Sequence, residues 1–116
     1  MVYREFILDL YRNPKNRGGL DHPDVTMRAL NPHCGDDYTL SAAFDGDVLT
    51  DIKFAGSGCA ISTAALSLIT DKVKGGSKEQ IAALQKQDML DLIEIPISYG
   101  REKCALLGLN TIKKMV

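Results

Sequence analysis

The stretch Tyr38–Phe54, YTLSAAFDGDVLTDIKF, holds two apolar runs on either side of Asp45-Gly46-Asp47. In the first run Leu40, Ala42 and Phe44 alternate with Thr39, Ser41 and Ala43, the period of two that marks a half-buried strand. An Asp-Gly turn between two such runs closes a β-hairpin over Tyr38–Phe44 and Val48–Phe54. Upstream, Val25–Leu30 has the same strand-like character. Downstream of Gly58 the period changes. Ile61, Ala64, Ala65, Leu68, Ile69 and Val73 recur at three and four, and Gly75-Gly76 supplies a stop. Ser77 with Gln80 predicts a capping box that opens a further helix through Ile81, Ala82 and Leu84. Met89–Ile95 reads as a short helix ending before Pro96, and Glu102–Met115 as a closing helix with Leu106, Leu109, Ile112 and Met115 on one stripe. At the other end, Val2, Tyr3, Phe6, Ile7, Leu10 and Tyr11 predict an amphipathic helix over residues 2–12 that stops at Asn13-Pro14. The Pro- and Gly-bearing stretch Pro14–Pro23 is an irregular connection. Strands gathered first and helices afterwards give a segregated α+β fold, not an alternating α/β one.

A chain of 116 residues with 45% apolar content has room for one core, so the whole of 1–116 is expected to be a single domain. The 14 Lys+Arg nearly balance the 15 Asp+Glu, leaving a net charge of -1 and no field to draw nucleic acid or an anionic bilayer. No apolar run approaches the roughly 18 residues of a membrane span. Arg4, Glu5 and Asp9 interrupt the start where a secretory signal needs an unbroken apolar stretch, so a soluble cytoplasmic protein is expected.

The three cysteines, Cys34, Cys59 and Cys104, are an odd number and cannot complete a disulfide framework. Their separations of 25 (34 to 59) and 45 (59 to 104) match no CxxC redox motif or zinc finger. A shared site would have to be assembled by the fold. Cys34 lies in NPHCGDD, an exposed loop between two strands in which Asp36 can set a carboxylate beside the thiolate, a donor pair that suits a metal. His33 is adjacent to Cys34 but, on an extended loop, points away, and ranks below Asp36; His22 reads as a surface residue. Cys59, in GSGCAIS, falls where a strand hands over to a helix, facing unpaired N–H groups that favour a thiolate. Cys104 follows YGREK in the first turn of the last helix, with Arg101 and Lys103 as cationic neighbours in sequence. A lone cysteine is more often inert core than ligand. Three at element ends, with a carboxylate beside one, favour joint chemistry.

These residues carry a resemblance. NPHCGDD, FAGSGCAISTAALSLIT and REKCALLGLNTIKK, with the earlier YRNPKNRGGL, resemble the U-type iron-sulfur cluster scaffolds, the IscU, SufU and NifU N-terminal group. The match covers nearly the whole chain apart from Ser77–Ser98. It implies a three-stranded antiparallel sheet with helices packed on one face, the SufE/NifU-like arrangement. It also implies a site of Cys34, Asp36, Cys59 and Cys104 that holds a transient [2Fe-2S] cluster or a Zn2+ ion. Both suit the donors, since thiolates are the usual cluster ligands and three sulfurs with one oxygen suit tetrahedral zinc.

Two features depart from or divide the family pattern. Lys103 stands where IscU members have a histidine and, with Arg101, looks like SufU, whereas the separation of 45 between Cys59 and Cys104 lacks the SufU insertion and looks like IscU. IPISYGREK replaces the LPPVK segment by which IscU engages its Hsp70-type chaperone. Tyr3 lies where the family has a tyrosine linked to dimerisation, although ring packing on a helix is as good an account; self-association is left open.

The function implied by the resemblance is iron ion binding and cluster assembly. A cysteine desulfurase delivers persulfide sulfur and apo iron-sulfur proteins receive the cluster; Cys104 is expected to be the sulfur acceptor, because Lys103 and Arg101 beside it favour a nucleophilic thiolate. That makes the chain a scaffold or carrier and not an enzyme. An alternative is a zinc-bound sulfur acceptor, a sulfurtransferase that stimulates the desulfurase. A third is an interaction domain with structural cysteines.

Overall fold

The computed structural model describes residues 2–116, with side chains from Glu5 onward, so the expectation for the Tyr3 side chain lies outside what is described. The chain begins with α1 (Val2–Arg12), followed by β1 (Val25–Asn31), β2 (Asp36–Asp45) and β3 (Val48–Ser57). The three strands form one antiparallel sheet in the order β1-β2-β3. Next come α2 (Ala60–Val73), the short α3 (Lys78–Ala82), α4 (Lys86–Ile93), a 3-10 turn at Tyr99–Arg101 and α5 (Glu102–Met115).

Alternation along the strands decides which face is covered. Ala29 and Asn31 on β1, Asp36, Tyr38, Leu40 and Ala42 on β2, and Leu49, Ile52 and Phe54 on β3 are buried. Arg28, Leu30, Asp37 and Thr39 between them are exposed. Leu49 and Ile52 are three apart yet share a face because the register shifts between Ala43 and Phe44, leaving Thr50 as an extra residue on β3. The hairpin turn works as its sequence demands, with Gly46 at φ 61. On the far edge of β3 the irregular segment after Pro14 is tied down by Phe54 N–H to Asn16 O at 3.0 Å and Gly18 N–H to Phe54 O at 2.9 Å.

The helices lie on the buried face. α2 sits at the centre, with Ala64, Ala65, Leu66, Ile69 and Val73 buried together with the polar Ser62, Thr63, Ser67 and Thr70. The expected single stripe was too narrow: Ile61 and Leu68 are half-buried, while Leu66, Ser67 and Thr70 are fully covered, because α1, α4, α5 and the sheet surround this helix. Its hydroxyls find partners, Thr70 donating to Leu66 O at 2.6 Å and Ser67 accepting the Lys15 N–H at 3.2 Å. α5 packs closely on α2 at Gly108, where an added Cβ would lie 2.6 Å from Leu66 Cδ2. The capping box of Ser77 and Gln80 forms as expected. The helix expected over Met89–Ile95 instead spans Lys86–Ile93, stopped by Glu94 in the left-handed region rather than by Pro96.

Candidate metal centre

β1 and β2 are joined by a tight turn over residues 32–35, and their register sets Asn31 opposite Asp36. That corrects one expectation. Asp36 is not in an exposed loop with Cys34 but is the first residue of β2, fully buried, because the strand starts two residues before Tyr38. Strand alternation then separates the two neighbouring aspartates. Asp37 points outward, where Arg28 Nε and Nη2 donate to its two oxygens at 2.9 and 2.7 Å, and this partner holds its carboxyl below the usual range. Asp36 points inward beneath the turn.

Cys34 is half-buried in that turn, and Cys104 is fully buried in the first turn of α5. Their sulfurs are 2.8 Å apart. One donor atom from each of Cys34, Asp36 and Cys104 lies within 4.8 Å of the other two. A tetrahedral ion with bonds of about 2.3 Å to sulfur sets its donors about 3.8 Å apart, a spacing that these contacts bracket. The donors therefore fit a metal ion.

Cys59 sits beside this trio. It is the N-cap of α2, its sulfur accepting the Ser62 N–H at 3.4 Å, and its own N–H donates to Asp36 Oδ1 at 3.0 Å. It is close enough to Cys104 to affect that thiol. Ser62 joins the elements, its hydroxyl donating to Asp36 Oδ1 at 2.9 Å and lying 3.0 Å from the Tyr38 hydroxyl. Tyr38 also meets Thr63 Oγ1 at 2.7 Å, and burial raises its phenol pKa against these hydrogen bonds. Gly58 makes room for this network. A Cβ there would lie 2.5 Å from both Asp36 Oδ1 and the Tyr38 hydroxyl and 2.7 Å from Ser62 Oγ.

Asn31, Tyr38 and Ser62 were not singled out by sequence reasoning. The signal for Asn31 and Tyr38 was an extended strand alternation, which puts them in line with Asp36; Ser62 had only its place three residues after Cys59. His33, Arg101 and Lys103 are exposed, and none belongs to the donor trio.

The electrostatics of Cys104 differ from what its sequence neighbours suggest. Burial is the largest influence and pushes its thiol well above the ordinary range; Cys34, Cys59 and Asp36 push the same way. Lys103 and Arg101 take no part in that shift. A raised value means that little thiolate forms as pH climbs past the ordinary thiol range. In metal-free protein, iodoacetamide is expected to modify Cys34 and Cys59 first, with Cys104 lagging from pH 7 to 10. Peptide mapping of the alkylated protein checks this, and Cys104 reacting as fast as Cys34 would contradict it.

The fold and this cluster define the class of protein. The chain belongs to the family of the NifU-like N terminal domain, whose profile matches residues 2–116. It is 35% identical to the zinc-dependent sulfurtransferase SufU of Bacillus subtilis, over 99% of this chain and 89% of that protein. It is 40% identical to the iron-sulfur cluster assembly scaffold protein IscU of Thermotoga maritima, over 98% of this chain and 92% of that one. A crystal structure from Fervidobacterium islandicum, of a candidate scaffold protein for the SUF system (FiSufU), superposes with a TM-score of 0.84 at 28% identity. That match covers 96% of this chain and 93% of the other. The two sequence alignments run to 132 and 133 positions against 116 residues here, so both relatives carry segments that this chain lacks. Among the described residues no helix is long and apolar enough to cross a membrane.

Proposed function

We propose that the protein is an iron-sulfur cluster assembly scaffold. It accepts persulfide sulfur from a cysteine desulfurase, builds a labile [2Fe-2S] cluster on Cys34, Asp36, Cys59 and Cys104, and passes it to apo-proteins. The observation that carries this reading is the meeting of Cys34, Asp36 and Cys104 donors within 4.8 Å, with Cys59 at the adjoining helix start. Free thiols at such a site fit the reducing cytoplasm. In the first step the Cys104 thiolate attacks the outer sulfur of the desulfurase persulfide, and the desulfurase cysteine leaves as a thiolate. Each sulfur so delivered needs two electrons to become bridging sulfide, so iron and an electron donor are further partners.

The carboxylate gives the site its lability, since a single oxygen donor grips the cluster less firmly than a fourth thiolate would. Asp36→Ala is therefore expected to lengthen the lifetime of a reconstituted cluster, followed by the decay of its visible absorption under air. A shorter lifetime would refute that role. The scaffold reading is tested by mixing reconstituted protein, freed of reagents, with an apo-ferredoxin. Cluster absorption should move to the acceptor, and none moving would contradict the proposal.

A second reading, a zinc-bound sulfur acceptor that stimulates the desulfurase, draws on a specific feature. Two thiolates and a carboxylate at tetrahedral spacing suit zinc as well as iron, and the SufU relative is a zinc-dependent sulfurtransferase. It predicts a colourless protein that carries zinc.

A further inference from the structure

We propose that Asn31 is a positioning residue of this centre, one amide held between two ligands so that it orients the Asp36 carboxylate and tunes the Cys104 sulfur. The inference rests on the ligand reading above. Asn31 ends β1 on the inward face, is only 6% exposed, and pairs across the turn with Asp36. Its Nδ2 lies 3.4 Å from Asp36 Oδ2 and 3.7 Å from Cys104 Sγ. An NH2 group carries two hydrogens, so one amide can serve both acceptors. An NH2 group can only donate, so against a carboxylate and a sulfur it is the nitrogen that must face inward.

The donors on Asp36 are unequally shared. Oδ1 accepts two, from the Cys59 N–H at 3.0 Å and the Ser62 hydroxyl at 2.9 Å, while Oδ2 has the single long contact from Asn31. Oδ2 therefore keeps lone-pair capacity for an ion, and the Asn31 amide sets the direction in which it points. On Cys104 the same amide donates to sulfur and stabilises negative charge there, favouring the thiolate form that a metal binds. Asn31 touches no reacting atom of the incoming persulfide; it acts through Asp36 and Cys104.

The test compares wild-type protein with Asn31→Leu, which keeps the side chain's size and loses its donor. Asn31→Ala, which makes no demand on space, is carried alongside in case leucine fails to fold. Two readouts are needed: zinc affinity by competition with a coloured chelator, and the sulfur-to-metal charge-transfer band of the cobalt-loaded protein. Loss of the amide is expected to cut zinc affinity about 10- to 100-fold, the usual effect of removing a group that orients a ligand. It should also move the cobalt band to longer wavelength, because the sulfur is then richer in electrons. A folded variant with wild-type affinity and an unmoved band would overturn the proposal. So would weakened affinity with an unmoved band, which marks packing alone. Wild-type protein that takes up neither ion would remove the ligand reading itself, a result distinct from either.

Discussion

Cys104→Ser is expected to lose all persulfide labelling by a cysteine desulfurase, while Cys34→Ser and Cys59→Ser retain it. Serine preserves the size of the side chain, but its oxygen cannot hold a sulfane sulfur, so the comparison isolates the sulfur. The argument for Cys104 is its position. It is fully buried at the base of the cluster, 2.8 Å from Cys34 and beside Cys59, so a sulfur placed there is already inside the ligand set. Burial also shields a persulfide from water and from stray thiols that would strip it. The same burial keeps the free thiol protonated. The N–H groups at the start of α5 favour negative charge and oppose that effect. Mass spectrometry of the trapped persulfide reads the result, and full labelling of Cys104→Ser would assign the acceptor to another cysteine.

The second large effect is expected at a residue with no functional group. In Gly58→Ala the new methyl would lie 2.5 Å from Asp36 Oδ1 and from the Tyr38 hydroxyl, distances that carbon and oxygen do not tolerate. None of these neighbours can give way cheaply. Asp36 is held by Cys59 N–H and Ser62, and Tyr38 is pinned between Ser62 and Thr63 within the core. Overpacking of this kind costs about 1–3 kcal/mol, and here the strain falls on Asp36, one of the proposed ligands. The urea midpoint should drop and metal retention should fall with it. Gly19→Ala, where an added Cβ meets nothing within 4 Å, should change neither. Gly58→Ala with wild-type stability and metal content would show that the network yields easily and does not define the site.

Much of this architecture was legible in the chain. Alternation from Thr39 to Phe44 and the Asp45-Gly46-Asp47 turn placed the hairpin, and three-four spacing placed α1, α2 and α5 closely, because these elements bury one face against one core. Asp36 was found as a donor, but its setting was misjudged. The polar pair Asp36-Asp37 looks like loop, and nothing local says that β2 begins there with one aspartate inward and the other on Arg28. The Thr50 bulge was hidden for a similar reason, since it exists only through pairing with β2. Cys104 gives the sharpest contrast. Its sequence neighbours Arg101 and Lys103 suggested an activated thiolate, whereas on α5 they are exposed and the thiol is governed by burial and by Cys34, Cys59 and Asp36. The Asn31, Ser62 and Tyr38 contacts join β1, β2 and α2, which only the folded chain brings together.

The most direct measurement is the metal and sulfide content of protein purified and reconstituted without oxygen, using desulfurase, cysteine, ferrous iron and an added reductant, read together with its visible spectrum. The scaffold account predicts a coloured protein with iron and acid-labile sulfide in equal amounts, and loss of that colour in Cys34→Ser, Cys59→Ser and Cys104→Ser. A colourless protein that keeps zinc and takes up persulfide but neither iron nor labile sulfide would contradict it.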